Sequence, residues 1–162
     1  MDFNNFQHSS SQIQQFWQKF LAQSNFADGK IPTQYHAWSF GAIGGNGEMA
    51  DQLALLVLQG QKTASSSLLQ HYKSNQQALP QVGEYNIILN SQREPVCITK
   101  TTEVSIAPYA SVDEKFAIEE GDGSLENWRK IHWEYYSTNC PSGFVFTEEA
   151  LLVCEKFEKV FP

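Results

Sequence analysis

The chain has 162 residues, 18 acids against 11 bases and a net charge of -7, with 41% hydrophobic and 13% aromatic residues. That is enough apolar material for one ordinary folded domain, and too little length for two. The acidic balance excludes a protein that coats nucleic acid non-specifically, because such binding needs clustered Lys and Arg.

Residues 1–10 are polar and carry no basic, apolar leader pattern, and nowhere do some 18 apolar residues run together. A cytoplasmic protein without a membrane span is the expectation. From Ser11 the pattern turns helical: Ile13, Phe16, Trp17, Phe20 and Leu21 share a face, and Ser11 with Gln14 has the form of a capping box. The spacing predicts a helix over 12–23. Asp28, Gly29 and Pro32 then mark a turn and an irregular arm, which continues through Trp38 and Phe40 to a glycine-rich turn.

A second helix is predicted over 48–59, with Met49, Leu53, Leu56 and Val57 on one face and Gly60 just past its end. Behind it comes GQKTASSSL at 60–68, in which Lys62 and Ser65 stand three residues apart and could reach one side of a helical turn or tight loop. A desolvated lysine beside a hydroxyl can support nucleophilic catalysis, and a protonated one can bind an anion or carbonyl oxygen. The same lysine could equally be a solvated cation at a helix C-terminus, with the serines as loop polar groups.

A short helical turn is expected within 67–74. PQVG at 80–83 is a turn, and Tyr85, Ile87 and Leu89 alternate before the β-branched PVCITKTTEV at 95–104, so two strands joined near 90–94 are expected. Helical patterns return at 112–120 and 124–136, the second with Leu125, Trp128, His132 and Tyr135 on a face and Ser124 as N-cap. GFVFT at 143–147 and the segment 151–161 both read as strands. Helices interrupting strands without regular βαβ alternation indicate an α+β fold with a mostly antiparallel sheet, and five or six short strands suit a small β-barrel.

Several polar residues in the second half admit two readings. Glu119 and Glu120 precede a Gly-Asp-Gly turn: they could be exposed acids at a helix end, or one could face a pocket and orient Lys62. His132 could be a hydrogen-bonded core histidine or a general acid or base. Arg129 could form a surface ion pair or hold a phosphate. Trp38 and Phe40 could be core aromatics or stack on a base. The three cysteines, Cys97, Cys140 and Cys154, form no CxxC pair and have no His at metal-ligand spacing, so reduced thiols and neither metal nor cofactor are expected.

Taken in order, WSFG at 38–41, GQKTASSSL at 60–68, PQVGEYNIIL at 80–89, PVCITKTTEV at 95–104, FAIEEGDGSLENWRKIHWEYY at 116–136 and VCEKFEKV at 153–160 resemble the ASCH (activating signal cointegrator homology) domain. The likeness is nearest to its bacterial stand-alone branch and covers roughly residues 35–161, with 1–34 similar to that branch's helical N-terminal extension. It implies a PUA-like fold, a small β-barrel with helices beside a cleft, and a single-stranded RNA or a modified nucleoside as partner. Some members are hydrolases: one type deacetylates N4-acetylcytidine with a lysine, a threonine three residues on and a downstream glutamate, and another is a ribonuclease.

Carried over, the catalytic set falls on Lys62, Ser65 and Glu120. Ser65 keeps the threonine's hydroxyl but lacks the β-methyl that restricts χ1. Trp38, Thr63, Lys100, Arg129 and His132 are the expected substrate-binding residues, and Lys73 and Lys130 are further cations available to a phosphate. Three functions remain open: a hydrolase of a modified cytidine, a ribonuclease, and a non-catalytic module that binds RNA or a nucleobase.

Overall fold

The computed structural model describes residues 11–41 and 47–162. The polar start at 1–10 and most of the glycine-rich turn at 41–47 lie outside them. The elements in chain order are α1 (Ser11–Gln23), β1 (His36–Ser39), α2 (Gly47–Leu58), β2 (Ala64–Leu68), α3 (Leu69–Ser74), β3 (Tyr85–Leu89), β4 (Pro95–Pro108), a 3-10 turn (Tyr109–Ser111), α4 (Glu114–Glu119), α5 (Leu125–Asn139) and β5 (Leu151–Phe161). The strands form one sheet in the order β1-β3-β4-β5-β2. Every neighbouring pair is antiparallel except β1 with β3. The sheet curls into a half-barrel, an α+β, PUA-like architecture as the sequence indicates.

Alternation along the strands divides the core. Ile87, Leu89 and Ile98 face α1 and bury Ile13, Trp17 and Phe20. The residues between them, Ile88 and Cys97, face the other way and pack with Phe40, Phe157 and the α2 residues Ala54 and Val57. A third cluster joins Ala64 and Leu68 of β2 and Leu152 and Cys154 of β5 to Phe116, Trp128 and Tyr136 of α4 and α5.

Three segments differ from the sequence reading. Residues 64–68, read as a loop after a helix, form strand β2, because pairing with β5 satisfies a backbone whose serines carry little strand preference of their own. The arm around Trp38 is strand β1, in register with Ala37 on Ile87 and Trp38 on Ile88. GFVFT is no strand: the chain passes 143–147 in a turn and coil, and Phe146 fills the core beside Tyr109, Trp133 and Tyr136. At the start of α1 it is Gln15, one residue beyond the expected Gln14, whose amide reaches Ser11 Oγ.

The end of α2 aims the chain at the site. Gly60 has φ +76, and the Gly60 and Gln61 amides donate to the carbonyls of Val57 and Leu56, which is a Schellman closure. The Lys62 amide also reaches Leu56 O at 3.1 Å, so the chain leaves the helix on a fixed course into β2.

Candidate functional site

Lys62 stands at the mouth of β2 and is 4% exposed. Its Nζ donates to Ala64 O at 2.9 Å and to Glu120 O at 3.1 Å, and lies 3.7 Å from Glu120 Oε1. The Phe40 ring centroid is 5.2 Å away on the remaining side. With the Thr63 amide on Glu119 O at 2.7 Å, the segment before β2 satisfies the last carbonyls of α4. The lysine does end a helix, but α4 rather than α2, and it does so buried.

Glu120 follows α4 and precedes the Gly121-Asp122-Gly123 turn. Gly121 adopts φ +97, and a Cβ there would meet Leu56 Cδ1 at 3.3 Å and Lys62 Cβ at 3.8 Å, so glycine lets the turn lie against the lysine. Glu120 Oε1 accepts from the Ser66 amide at 3.1 Å and lies 3.4 Å from His132 Nε2. Oε2 accepts from Ser66 Oγ at 2.9 Å and from the Trp128 indole. Burial raises this carboxyl, but His132, Lys62 and the Trp128 bond outweigh it and hold it at about 2. An ionised carboxylate only accepts, so Ser66 Oγ must donate to it. Ser66 Oγ therefore accepts a hydrogen bond from the Tyr136 hydroxyl across their 2.8 Å contact.

His132 stacks on Trp128 at 4.4 Å between centroids. Its Nδ1 is 2.9 Å from Trp128 O and 3.5 Å from Asp122 Oδ2. Burial would lower its pKa, yet the Glu120 and Asp122 carboxylates raise it, and acceptors beside both nitrogens suit the imidazolium. Burial raises Asp122 and lowers Lys62, with Glu120 opposing the second shift. One ligand atom each from Glu120, Asp122 and His132 lies within 4.8 Å of the others. A cation could find those donors there, in competition with Lys62 and His132, a grouping that the sequence spacing does not reveal.

The structure thus brings Lys62, Glu120 and His132 together. Ser65 is on the other face of β2: Ala64, Ser66 and Leu68 point to α4 and α5, and Ser65 and Ser67 to the inside of the half-barrel, where Ser67 meets the Tyr72 hydroxyl at 2.8 Å. Among the described residues no hydrogen bond joins Lys62 to Ser65. Trp38 donates from Nε1 to Asn86 Oδ1 at 2.9 Å and packs on Phe40, one ring from Lys62. Thr63 contributes main chain only, its carbonyl accepting from Phe157 N. Lys100 lies over Tyr85 on the α1 side of the sheet, and Arg129 turns to Ala110 O, so neither joins the cluster. Glu119 pairs with Lys156 at 3.2 Å.

Ser66, Asp122, Trp128 and Tyr136 carry the site as much as Lys62 does, and sequence reasoning did not single them out as site residues. Only the i, i+4, i+8 spacing of Trp128, His132 and Tyr136 was a usable signal, since it aligns an indole N–H, an imidazole and a phenol along one helix face. All three cysteines are free, and burial pushes the thiols of Cys97 and Cys154 up to about 12, so both are protonated and unreactive. Among the described residues no helix is long and apolar enough to cross a membrane.

Two solved structures share the arrangement of elements that builds this site. An ASCH domain from Lactobacillus crispatus JV V101 aligns with TM-score 0.87 and 33% identity, over 98% of this chain and 99% of that one. Protein EF3133 from Enterococcus faecalis V583 aligns with TM-score 0.78 and 36% identity, over 93% of each chain. No curated protein matches the sequence. The ASCH domain family model matches residues 36–161, the span from β1 through β5 that holds Lys62, Ser66, Glu120 and His132. With both the sequence and the fold of that span matched, the chain belongs to the ASCH domain family, a PUA-like group generally thought to bind RNA.

Proposed function

We propose that this protein is a hydrolase acting on RNA or on a cytidine derivative, with an N4-acylated cytidine as the substrate that best suits the site. The observation that carries the reading is a buried lysine whose ammonium is destabilised by burial, fixed against a carboxylate that stays ionised. A carboxylate held near 2 is a poor base at neutral pH, so Glu120 orients and Lys62 moves the proton.

In this reading Lys62, once it has released a proton to solvent and become the neutral amine, takes the Ser65 hydroxyl proton as Oγ attacks the acyl carbonyl. The acyl C–N bond then breaks, and Lys62 returns the proton to the leaving amino group. Water next attacks the acyl-serine while Lys62 accepts its proton and passes it to the departing Ser65 Oγ, releasing a carboxylic acid and restoring both Ser65 and the amine. Rotation about χ1 or a bridging water has to bring Ser65 to the lysine, as catalytic contacts often tighten only with substrate bound. A neutral nucleoside also suits an acidic protein whose Lys100 and Arg129 lie apart from the cluster.

A second reading, a non-catalytic RNA- or nucleobase-binding module, is favoured by one fact: both Lys62 hydrogen bonds go to main-chain carbonyls, as those of a structural lysine would. Incubation of wild type and Lys62→Ala with N4-acetylcytidine, and separately with short single-stranded RNA, decides between them by chromatography. Cytidine from wild type alone supports the amidohydrolase, and shortened RNA from wild type alone the ribonuclease. No product from either, with binding retained, leaves the module.

A further inference from the structure

The inside of the half-barrel holds a second buried carboxyl that the Lys62 and Glu120 assembly does not use. Register places Glu155 of β5 directly opposite Ser65 of β2, so the two side chains stand together on the face away from Ser66. Glu155 is 6% exposed. Its Oε1 accepts from Thr101 Oγ1 at 2.6 Å, Thr101 Oγ1 accepts from Asn86 Nδ2 at 3.4 Å, and Asn86 Oδ1 accepts from Trp38 Nε1 at 2.9 Å. A line of donors thus runs from the Trp38 indole to one oxygen of Glu155. Among the described residues the other oxygen, Oε2, has no hydrogen-bond partner, and no cation lies within ion-pair distance.

A carboxyl in that position costs stability, and the strand's own pattern shows what stability alone would select: Val153 and Phe157, on the same face of β5, are apolar and buried. Asn86 and Thr101 are likewise buried polar groups, and they serve Glu155 rather than the core. The groups that act on Glu155 from the surrounding elements are Thr101 on β4, Glu84 before β3 and Lys62 before β2, and Tyr72 on α3 feels its charge in turn. Burial and Glu84 raise the carboxyl, Thr101 and Lys62 oppose, and the net direction is up.

Resting on the nucleoside reading of the Lys62 site, we infer that Glu155 reads the base of the ligand, its two carboxyl oxygens facing an amino group and the adjacent bare ring nitrogen. Cytosine and adenine carry that pair on the Watson–Crick edge, and uracil and guanine do not. Oε1, already held by Thr101, accepts from the amino group. When the carboxyl is protonated, Oε2, the oxygen without a partner, donates a hydrogen bond to the ring nitrogen. The Ser65 nucleophile of β2 and the base-reading Glu155 of β5 would then stand side by side on one face of the sheet.

The test is calorimetric titration of cytidine and uridine into wild type, Glu155→Gln and Glu155→Leu, each checked for folding by circular dichroism. Wild type should prefer cytidine by about tenfold or more at the acid end of a pH series, the size expected of one two-point base contact. That preference should fade as pH rises and the carboxyl ionises. Glu155→Gln should keep it at every pH, because an amide offers the same donor and acceptor side by side, and Glu155→Leu should lose it. Equal binding of both nucleosides to wild type, or a preference that survives in Glu155→Leu, overturns the assignment and leaves the Lys62 chemistry standing. Binding of neither nucleoside overturns the assignment together with the nucleoside reading beneath it. Should Glu155→Leu fail to fold, the opposite pH behaviour of wild type and Glu155→Gln still decides.

Discussion

Lys62 touches Glu120 twice, with Nζ 3.1 Å from its main-chain carbonyl and 3.7 Å from its carboxylate. One residue therefore supplies both the end of a helix and the counter-ion of the buried cation. Removing the lysine leaves an ionised carboxylate and a helix-terminal carbonyl without that partner, which costs more than a surface ion pair would. Lys62→Met should lower the unfolding free energy by roughly 3 kcal/mol in a urea titration, and turnover of any substrate should fall below detection. A stability loss with full activity would remove Lys62 from the chemistry.

The same pair gives stability a pH signature. Glu120 is held at about 2 in the fold, below its ordinary 4.5, so its contribution is fully present above 4.5 and is lost as pH falls toward 2. His132 is raised from 6.5, so its contribution is present below 6.5 and is lost as pH climbs through the folded value. Urea midpoints should peak on the mildly acidic side of neutrality. Glu120→Gln should flatten the acid limb and His132→Gln the alkaline limb; a wild-type profile level from pH 3 to 8 would contradict both assignments.

Two adjacent serines should behave as opposites. Ser66→Ala removes a hydrogen bond to a buried carboxylate and strands the Tyr136 hydroxyl, a loss of about 1–3 kcal/mol. Ser65 makes no comparable bond in the resting protein, so Ser65→Ala should leave the urea midpoint nearly unchanged while abolishing hydrolysis if Ser65 is the nucleophile. Turnover retained in Ser65→Ala would hand the attack to water, with Lys62 as its base.

That division between the serines was beyond reach of the sequence for a definite reason. Side-chain direction follows from strand period, and Ala64-Ser-Ser-Ser-Leu68 carries no strand signal until β5 is laid against it from almost ninety residues away. The helices α1, α2 and α5 and the β3–β4 hairpin were legible because each advertises itself locally, through an apolar stripe, a capping serine or alternation about a turn. Lys62 and Glu120 came from the ordered motifs of a family. The spacing of Trp128, His132 and Tyr136 hinted at a shared helix face, but what Asp122, Trp128 and Tyr136 touch became visible only through contacts that the chain makes at long range. GFVFT misled for the converse reason, its alternating aromatics filling a core without joining a ladder.

Gly121 gives a test of the turn that presents Glu120. At φ +97 an L side chain is strained, and the new Cβ would lie 3.3 Å from Leu56 Cδ1 and 3.8 Å from Lys62 Cβ. Gly121→Ala should destabilise by about 1–3 kcal/mol. Because the turn bears on both ends of the buried pair, kcat should fall more than KM rises. The control is Gly123→Ala, also at positive φ (+79) but with nothing within 4 Å of the added Cβ. It should lose stability without the change in kcat, and equal kinetic losses in both variants would mean that the turn's strain, not its contact with Lys62, matters.

The last prediction concerns the cations outside the cluster. Lys100 lies over Tyr85 on the face of the sheet covered by α1, and Arg129 reaches the carbonyl of Ala110 from a side of α5 that the Trp128, His132 and Tyr136 stripe does not share. A strand of RNA following the site would need a continuous cationic track to reach either residue, and the acidic surface does not favour one. Affinity for short single-stranded RNA should therefore change less than about twofold in Lys100→Ala and Arg129→Ala, whereas each true phosphate contact that is removed lowers the salt slope by about 1. A clear fall in that slope for either variant would extend the binding surface around the protein and favour the ribonuclease over a nucleoside hydrolase.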